Sequence, residues 1–371
     1  MTESPKSHHP AWRIIDANLN RAREALRVVE DYARFVLDDA GLSGFLKEMR
    51  HTLGQATVNL ETGVQPRGEP HPSAAARRRP LLARRDILGD VGCEVATPTE
   101  YERADLFDVA CASAKRLTEA LRTIEEYGKL LDLDFAKAVE QVRYRAYEAE
   151  RRLGLTVSSR ERFGSVGLYV ILTESLCRLD WFATAEAVLR GGADCLQLRE
   201  KNLPDRELIA RATRLKDLCH DHGSLFVVND RADIAAQVGA DGVHVGQDDM
   251  PVAAARRVLP PTALVGVSTH TEPQVRAAAS DLPDYIAVGP MFETRTKPRT
   301  PIAGPEMLVA ARRETSLPLV AIGGIDEHNA EQVLSATPCT LCVCTFVIAD
   351  DNPQAAASRL CAIIDRATRP P

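Results

Sequence analysis

No long hydrophobic run occurs anywhere in the sequence. A membrane-spanning helix needs about 20 consecutive apolar residues, and no stretch within the 371 residues approaches this length. The amino-terminal stretch MTESPKSHHPAW is polar and lacks the apolar centre of a signal peptide. These absences predict that the protein has no membrane partner and a cytoplasmic location.

Aromatic residues are scarce, and positive charge is in the minority. Only 5% of the residues are aromatic, and the 52 acidic residues outnumber the 46 lysines and arginines, which leaves a formal net charge of −6. A protein with this charge has no general attraction to nucleic acids or acidic membranes, so we expect no nucleic-acid partner. The length is enough for two domains of ordinary size, and the sequence leaves open whether copies of the chain form a homo-oligomer.

The sequence contains nine cysteines, an odd number with irregular spacing, so it shows no disulfide framework. Three of them, Cys339, Cys342 and Cys344, lie close enough together to suggest a metal site. They fall, however, in CTLCVCTFVI, which has the composition of a buried strand. Small buried thiols are therefore the favoured interpretation, with metal ligation as the alternative.

Residues 13–153 show helical periodicity and an internal repeat. The stretch EALRVVEDY at 24–32 returns as EALRTIEEY at 119–127, and LKEMRH at 46–51 returns more weakly as VEQVRY at 139–144. Apolar residues recur in this region with the spacing of one helix face. The repeat predicts an all-α domain of duplicated helical hairpins that forms a four-helix bundle.

The helical domain is expected to cover residues 1–155 and a second domain residues 156–371. Between the two helical copies, residues 62–86 are rich in proline and arginine and have no apolar period. This composition predicts a mobile connection.

The second domain has a different pattern, in which short β-rich runs alternate with amphipathic segments. Eight such runs follow one another: GLYVILT, CLQLRE, LFVVND, GVHVG, ALVGVS, YIAVGP, LVAIGG and LCVCTF. The alternation predicts a parallel sheet closed into a (β/α)8 barrel of the TIM type. An open, doubly wound sheet is the alternative, but no GxGxxG motif follows the first strand.

Nearly every predicted strand ends in polar or glycine residues, and the carboxyl ends of the strands form the active site in such barrels. In chain order these ends are Thr173, Gln197 with Arg199 and Lys201, Asn229 with Asp230, Gln247 with Asp249, Ser268, FETRTK at 292–297, Gly323 with Gly324, and Cys344 with Thr345. Residues that lie far apart in the sequence should therefore meet on one rim.

Three cations are expected at this rim. Arg199 and Lys201 occupy alternate positions in QLREK, so they share a face with Gln197, and Lys297 approaches from another strand. An arginine fork and lysine ammonium groups suit phosphate oxygens. The alternative is that each cation pairs with a nearby acid such as Glu200, but the convergence of three cations favours an anion site.

Two carboxylates end neighbouring strands. Asp230 and Asp249 follow the third and fourth predicted strands, which lie about 5 Å apart in a sheet. Carboxylates at this separation repel one another unless a cation or a proton joins them, and Mg²⁺ commonly binds one or two carboxylates together with substrate phosphates. We predict a Mg²⁺ site that serves a pyrophosphate, with general acid–base catalysis by the pair as the alternative.

The remaining strand ends offer hydroxyl groups and backbone N–H groups. They are Ser268, Thr294 to Thr296, Gly323 with Gly324, and Cys344 with Thr345. Glycine-rich ends of the seventh and eighth strands often hold a phosphate in such barrels. A pyrophosphate site and a monophosphate site on one rim predict a transferase that joins two phosphorylated small molecules.

Together these motifs resemble those of the thiamine-phosphate synthase family. QLREK, NDR, GVHVGQDD, GVSTH, YIAVGPMFETRTK and VAIGGI occur in the family's order and spacing over residues 167–366. The resemblance implies a (β/α)8 barrel that uses Mg²⁺ to join 4-amino-5-hydroxymethyl-2-methylpyrimidine diphosphate to 4-methyl-5-(2-phosphoethyl)thiazole. Thiamine phosphate and pyrophosphate are released. In this reaction the pyrimidine C–O bond breaks first and the thiazole nitrogen then attacks the carbocation, so no strong base is required.

The resemblance also implies a role for each matching position. Gln197, Leu198, Arg199, Glu200, Lys201, Asn229 and Lys297 would hold the pyrimidine diphosphate, and Asp230 and Asp249 would bind Mg²⁺. Thr294, Arg295, Thr296, one of Gly323 and Gly324, Cys344 and Thr345 would hold the thiazole phosphate. The implied catalytic set consists of Ser268, Arg199, Lys201 and Lys297, with Ser268 between the substrates; His244 and His270 are left out of it.

One position departs from the family pattern, and two other functions compete with the synthase. The family usually ends its eighth strand in Val-Ser, where this chain has Cys344-Thr345, so the thiazole-phosphate end matches less closely than the Mg²⁺ end. A thiazole tautomerase-like isomerase and a non-catalytic thiamine-phosphate sensor are the alternatives. Tautomerases have no need for the complete cationic and carboxylate set, so its presence favours the synthase.

The amino-terminal stretch RIIDANLNRAREALRVVEDYARFVL resembles the helical extension of some bacterial thiamine-phosphate synthases. That resemblance implies a pyrimidine-phosphate kinase-like contribution, although the sequence has no Walker A motif. Two arginines recur in the repeat, Arg27 as Arg122 and Arg50 as Arg143. They would form a phosphate pocket between the copies, or they would pair with neighbouring acids along their helices.

Overall fold

The computed structural model describes residues 10–62, 103–294 and 301–368. The chain divides into two compact units, Met1–Gly154 and Leu155–Pro371, and the division falls within one long helix. Apart from residue 62, the predicted mobile connection at 62–86 lies outside the described residues. No helix in the described part of the chain is long and apolar enough to cross a membrane.

The first unit consists of two helical hairpins. Its helices are α1 (Ala11–Phe35), α2 (Ala40–Thr62), α3 (Leu106–Gly128) and α4 (Leu133–Phe163), the last of which continues into the second unit. Helix α3 begins 95 residues after α1, and α4 begins 93 residues after α2, as the sequence repeat predicts. Helix α1 packs along α3 and α2, and its apolar face is buried because its hydrophobic residues recur at helical spacing.

The second unit is a closed barrel in which each strand pairs in parallel with the next and β8 pairs with β1. Its strands are β1 (Leu168–Leu172), β2 (Cys195–Leu198), β3 (Leu225–Asn229), β4 (Gly242–Val245), β5 (Leu264–Thr269), β6 (Tyr285–Val288), β7 (Leu319–Ile322) and β8 (Thr340–Val343). The barrel prediction is confirmed, and the open-sheet alternative is wrong.

Helices follow the strands around the outside of the barrel. They are α5 (Trp181–Arg190), α6 (Asp205–Asp221), α7 (Ala232–Val238), α8 (Val252–Val258), α9 (Glu272–Asp281), α10 (Glu306–Glu314), α11 (Ala330–Ala336), α12 (Thr345–Ile348) and α13 (Pro353–Thr368). Leu168, Val170 and Leu172 of β1 belong to the core between strands and helices, whereas Tyr169 and Ile171 belong to the core inside the barrel. Both faces of the strand are therefore buried, which explains its continuous apolar sequence.

An aromatic cluster fills the amino-terminal end of the barrel interior. Phe163, the last residue of α4, is fully buried, and its ring stacks on that of Tyr285 with 4.1 Å between centroids and 8° between planes. Gly266 makes room for this ring, since a Cβ there would lie 2.0 Å from Cζ of Tyr285. The absence of a side chain at Gly266 thus allows Tyr285 to cross the interior.

Replacement of Phe163 by alanine should destabilise the barrel. Loss of a buried phenylalanine typically costs about 3–5 kcal/mol. The free energy of unfolding should be measured by urea titration with the fluorescence of Trp181, in a Trp12→Phe background so that only the barrel reports. Phe35→Ala is the control, because Phe35 is 67% exposed and exposed sites usually change stability by less than about 0.5 kcal/mol. Equal unfolding midpoints for Phe163→Ala and the parent would contradict the assigned packing.

Candidate active site at the carboxyl end of the barrel

A cavity of about 140 Å³ opens among the carboxyl ends of the strands. Many of the predicted site residues line it: Gln197, Arg199, Asn229, Ser268, Thr294, Gly323, Gly324, Cys344 and Thr345. They come from six different strands or from the segments that follow them. The closed barrel therefore brings these separated residues together.

Arg199 and Lys201 supply positive charge at this end of the barrel. Arg199 lines the cavity, and its positive charge acts to lower the pKa of Cys344, which follows β8. Burial outweighs this effect and raises the pKa of that thiol to about 12. The Nζ atom of Lys201 lies 3.3 Å from Oδ2 of Asp230, so one predicted cation is paired with a predicted metal ligand.

Asp230 and Asp249 interact with each other at the ends of β3 and β4. Burial, together with hydrogen bonding to Asp249, raises the pKa of Asp230, and the nearby Lys201 acts in the opposite direction. Asp249 is oriented by the backbone N–H of Gly246, which donates to its Oδ2 at 2.8 Å. The two carboxyl groups therefore share one space, and the ionised form of Asp230 lacks full compensation there.

The backbone at Asp230 is unusual. Its φ of 61° lies in the left-handed region, which few residues other than glycine, asparagine and aspartate adopt. The N–H group of Asp230 donates to the carbonyl of His244 at 2.8 Å, which fixes this conformation across the two strands. Strained backbone of this kind is typical of functional sites.

The two carboxylates suit a cation that takes its other ligands from water and substrate. Among the residues that the structure describes, no group of three or more His, Cys, Asp or Glu side chains could hold a metal ion. Mg²⁺ is commonly bound by one or two carboxylates together with phosphate oxygens. The donor set and the raised pKa of Asp230 thus fit Mg²⁺ bound together with a phosphorylated ligand.

The cysteines of β8 are unsuited to metal binding. Burial raises the pKa of Cys339 to about 12 and that of Cys342 well above its usual value. Metal ligation requires the thiolate, which this environment disfavours. All eight cysteines within the described residues are free, in agreement with the interpretation as small buried thiols.

A chain of buried hydrogen bonds runs through the barrel interior to Ser268. The Gln197 amide nitrogen donates to the Tyr169 hydroxyl at 2.6 Å, and the Tyr169 and Tyr285 hydroxyls are 3.0 Å apart. The Tyr285 hydroxyl lies 3.1 Å from Nδ1 of His244, and Nε2 of His244 lies 2.8 Å from Oγ of Ser268. We call these five residues the interior chain.

The direction of this chain follows from its first member. With the Gln197 amide nitrogen toward Tyr169, that hydroxyl donates its own proton onward to Tyr285, and the Tyr285 hydroxyl donates to Nδ1 of His244. The Nε2–H group of His244 then donates to Ser268. Burial raises the pKa of both tyrosines well above the usual value, so they stay protonated, and the Ser268 hydroxyl proton is left to face the cavity.

The sequence interpretation left His244 and His270 out, yet both line the cavity. The signal for His244 lies in GVHVG: Val243 and Val245 pack in the outer core, so alternation turns the histidine between them inward. His270 contacts the carbonyl of Gly289 through Nδ1 at 2.6 Å. Because side chains alternate between the two faces of a strand, this pattern could have placed His244 among the candidate site residues.

The glycine-rich side of the cavity has special backbone geometry. Gly323 and Gly324 have φ values of 97° and 71°, and both line the cavity. A Cβ on Gly324 would lie 2.5 Å from the carbonyl oxygen of Glu293, and one on Gly323 would lie 2.6 Å from Cβ of Pro290. Turns of successive backbone N–H groups can form anion-binding concavities, and side chains at these two positions would destroy this turn.

Some predicted site residues lie elsewhere. Leu198 is buried in the outer core, and the Glu200 carboxylate accepts a hydrogen bond from the Glu174 backbone N–H at 2.6 Å. Neither side chain lines the cavity, so any contact of Leu198 with a ligand would come from its backbone. Arg295, Thr296 and Lys297 lie outside the described residues.

Comparisons with known proteins agree with this geometry. The family described as thiamine monophosphate synthase matches residues 168–346, and the ThiD2 family matches residues 13–152. The thiamine-phosphate synthase of Nostoc punctiforme is 37% identical over 96% of this chain and 94% of its own length. That of Rhodopirellula baltica is 40% identical over 86% of this chain and 84% of its own length.

The barrel unit is also similar to a solved structure. Thiamine phosphate pyrophosphorylase from Pyrococcus furiosus is 31% identical, with a TM-score of 0.52, and the match covers 55% of this chain and 98% of that one. Fold and cavity together define a (β/α)8-barrel enzyme with its site at the carboxyl ends of the strands. The chain belongs to the thiamine-phosphate synthase family.

Removal of the Tyr285 hydroxyl should disconnect the interior chain. In Tyr285→Phe the ring can still stack on Phe163, but Nδ1 of His244 loses its hydrogen bond to the Tyr285 hydroxyl, and loss of such a bond costs about 0.5–1.5 kcal/mol. The ¹⁵N NMR resonances of the His244 ring should shift, and the free energy of unfolding should fall. Tyr127→Phe, at a 39% exposed position, is the control. Unchanged His244 resonances in Tyr285→Phe would show that the chain is not formed.

Proposed function

We propose that the barrel catalyses the Mg²⁺-dependent condensation of 4-amino-5-hydroxymethyl-2-methylpyrimidine diphosphate with 4-methyl-5-(2-phosphoethyl)thiazole, which yields thiamine phosphate and pyrophosphate. The observation that carries this proposal is the interacting pair Asp230 and Asp249, with Lys201 3.3 Å from Asp230. A carboxylate pair beside a lysine suits a metal-bound diphosphate better than it suits a neutral ligand. Membership of the thiamine-phosphate synthase family supports the same reaction.

The pyrimidine diphosphate is assigned to the side of the cavity formed by β2 and β3. Gln197, Arg199 and Asn229 line the cavity there, and Lys201 lies 3.3 Å from Asp230. The arginine fork can bind two phosphate oxygens and the lysine a third. Lys297, which the sequence motif assigns to the same group, would add a further positive charge.

Asp230 and Asp249 are the residues that would hold Mg²⁺. When bound, this ion neutralises charge on the diphosphate as it departs. Lys201 and Arg199 contribute to the same electrostatic stabilisation from the protein itself. Because the diphosphate is the leaving group, these interactions strengthen as negative charge develops on it, which is the requirement for catalysis.

Ser268 is proposed to contact the reacting groups, and His244 to act as its positioning residue. The interior chain leaves the Ser268 hydroxyl proton directed to the cavity, where it can donate to a developing negative charge on the leaving group. The incoming thiazole nitrogen has no proton to remove, so the reaction requires orientation rather than a strong base. A neutral, buried hydrogen-bond chain supplies orientation of this kind.

The thiazole phosphate is assigned to the opposite side of the cavity. Thr294, Gly323, Gly324 and Thr345 line that side and offer hydroxyl and backbone N–H groups. Hydrogen-bond donors without formal charge suit a phosphate that is held throughout the reaction and not released. Arg295, which the sequence motif assigns to the same group, would add a positive charge to these neutral donors.

The direct test is an assay of the purified protein with both substrates, in the presence of Mg²⁺ or of EDTA. We expect thiamine phosphate only with Mg²⁺, and a fall in kcat/KM of at least about 100-fold in Asp230→Asn, since an electrostatic contact in the transition state is worth several kcal/mol. Asp248→Asn is the matched control, because Asp248 is the exposed neighbour of Asp249. Isomerisation of the thiazole substrate alone would favour the tautomerase instead, and ligand binding without turnover would favour the sensor.

A second prediction links the metal to stability. Since burial and Asp249 raise the pKa of Asp230, the ionised carboxyl destabilises the metal-free fold at pH values above its unfolded-state pKa. Metal-free Asp230→Asn should therefore melt at a higher temperature than the parent at neutral pH, and the difference should disappear at pH values below that unfolded-state pKa.

Mg²⁺ should act in the opposite sense on the parent. It should raise the melting temperature of the parent at neutral pH, lose this effect as the pH falls through the raised pKa of Asp230, and leave Asp230→Asn unchanged. Differential scanning calorimetry across the pH range measures both effects. A metal response of equal size in parent and variant would argue against Asp230 as a ligand.

A further inference from the structure

The α1–α2 hairpin contains a second group of converging cations. An open pocket of about 330 Å³ is lined by Arg23 and Arg27 of α1 and by Lys47, Arg50 and His51 of α2. Helix positions four residues apart lie about 6 Å from each other on one face, so the pairs 23/27 and 47/51 present two short rows of donors. From this arrangement we infer that the hairpin binds the phosphate group of a small phosphorylated molecule.

Much of this positive charge has no counterpart among the residues that the structure describes. In the described part of the chain, Arg27, Lys47 and His51 form no ion pair and no side-chain hydrogen bond. Arg50 lies 3.4 Å from Glu30, and Arg23 donates to the Thr57 hydroxyl at 3.4 Å. Like charges gathered in one pocket repel one another, and an anion relieves this repulsion.

The second copy of the hairpin shows which of these cations the fold itself requires. With the offsets of the repeat, Arg27 and Arg50 correspond to Arg122 and Arg143. Arg143 is buried and its Nε lies 2.7 Å from Glu125, while Arg122 pairs with Glu125 at 3.2 Å. In the second copy these arginines therefore join the two helices of the hairpin through a shared glutamate.

The other three cations are particular to the first copy. Its Arg23, Lys47 and His51 correspond to Thr118, Glu140 and Tyr144 in the second copy. The second hairpin folds with a neutral residue, an acid and a tyrosine at these positions. The additional positive charge of the first hairpin is therefore not needed for the helical packing, and a ligand accounts for it.

The chemistry of the lining selects phosphate as the recognised group. Three arginine side chains, an ammonium group and an imidazole supply many N–H donors and no acceptor beyond a neutral imidazole nitrogen. Among the described residues that line the pocket, the imidazole of His51 is the only ring, so the recognition rests on hydrogen bonds and charge more than on stacking. A phosphate or diphosphate group satisfies this donor set.

The size and surroundings of the pocket favour a small ligand over a nucleic acid. Glu30, Asp38 and Asp39 line the neighbouring surface next to Lys47, and they would repel a polyanion that extends beyond the pocket. The chain as a whole carries a formal net charge of −6, which adds to this repulsion. A compact anion can bind among Arg27, Lys47 and His51 and meets fewer of these acids than an extended polyanion would.

The experiment follows the His51 ring in the full-length, ¹⁵N-histidine-labelled protein during titration with inorganic pyrophosphate in EDTA. The His51→Tyr spectrum assigns the resonance. We expect the His51 signal to shift saturably, and the apparent affinity to fall at least tenfold in Lys47→Glu, which introduces the residue of the second copy, and in Arg27→Gln. Lys137→Glu is the control, since it makes the same change of charge at a 74% exposed side chain elsewhere in the helical unit.

Several outcomes would overturn the inference. These are a His51 signal that does not respond to pyrophosphate, an affinity that is unchanged in folded Lys47→Glu and Arg27→Gln, or an equal loss in Lys137→Glu. Circular dichroism establishes that each variant is folded. Parallel titrations with inorganic phosphate and phenyl phosphate distinguish a diphosphate from a phosphomonoester, and tighter binding of a single-stranded oligonucleotide would assign the surface to nucleic acid and reject the small ligand.

The proposed barrel reaction can be separated from this site. Thiamine phosphate formation should be unchanged in Lys47→Glu and Arg27→Gln, because neither residue belongs to the barrel cavity. Conversely, Asp230→Asn should leave the His51 titration as it is in the parent. Failure of either proposal therefore leaves a distinct pattern, in which one readout is lost and the other is retained.

Discussion

Hydrogen bonds between β8 and β1 close the parallel sheet, and the geometry of the candidate site depends on this closure. Leu168 pairs with Leu341 and Val170 with Val343, so the first and last strands of a unit about 200 residues long lie side by side. All eight strands point the same way, and their carboxyl ends form one ring. Arg199 and Cys344, which are 145 positions apart, line one cavity for this reason.

The same closure creates the interior in which polar groups must find partners. Tyr169 and Tyr285 are buried together with their hydroxyl groups, and a buried hydroxyl without a partner is costly. Each therefore bonds to the other and to one more residue, and the resulting chain ends at Ser268 on the cavity wall. Packing at the amino-terminal end, where Phe163 stacks on Tyr285, is in this way connected with the orientation of a residue at the carboxyl end.

The sequence predicted the barrel and nine of the twenty residues that line the cavity, because both follow from short-range regularities. Continuous apolar runs mark strands with two buried faces, and polar strand ends mark the rim. His244 was left out because it was expected to face the surroundings of its strand, although its position between Val243 and Val245 in the outer core turns it inward. Whether Arg122 and Arg143 bind a ligand or pair with acids could not be decided from spacing, since the choice depends on which side chains face each other across two helices; the structure pairs both with Glu125.

Each unit contains a cluster of like charges that the described residues compensate only in part. The cluster is negative in the barrel and positive in the helical unit. At the barrel rim, burial and the hydrogen bond to Asp249 raise the pKa of Asp230, and Lys201 lies 3.3 Å from its carboxylate. In the first helical hairpin, Arg27, Lys47 and His51 share a pocket and form no ion pair within the described residues. Folding free energy alone would favour neutral residues or salt bridges at both places, as the second hairpin shows with Glu140 and Tyr144. The repulsion at each place is relieved by an ion of opposite charge, which is a cation for the carboxylates and a phosphate for the helical pocket.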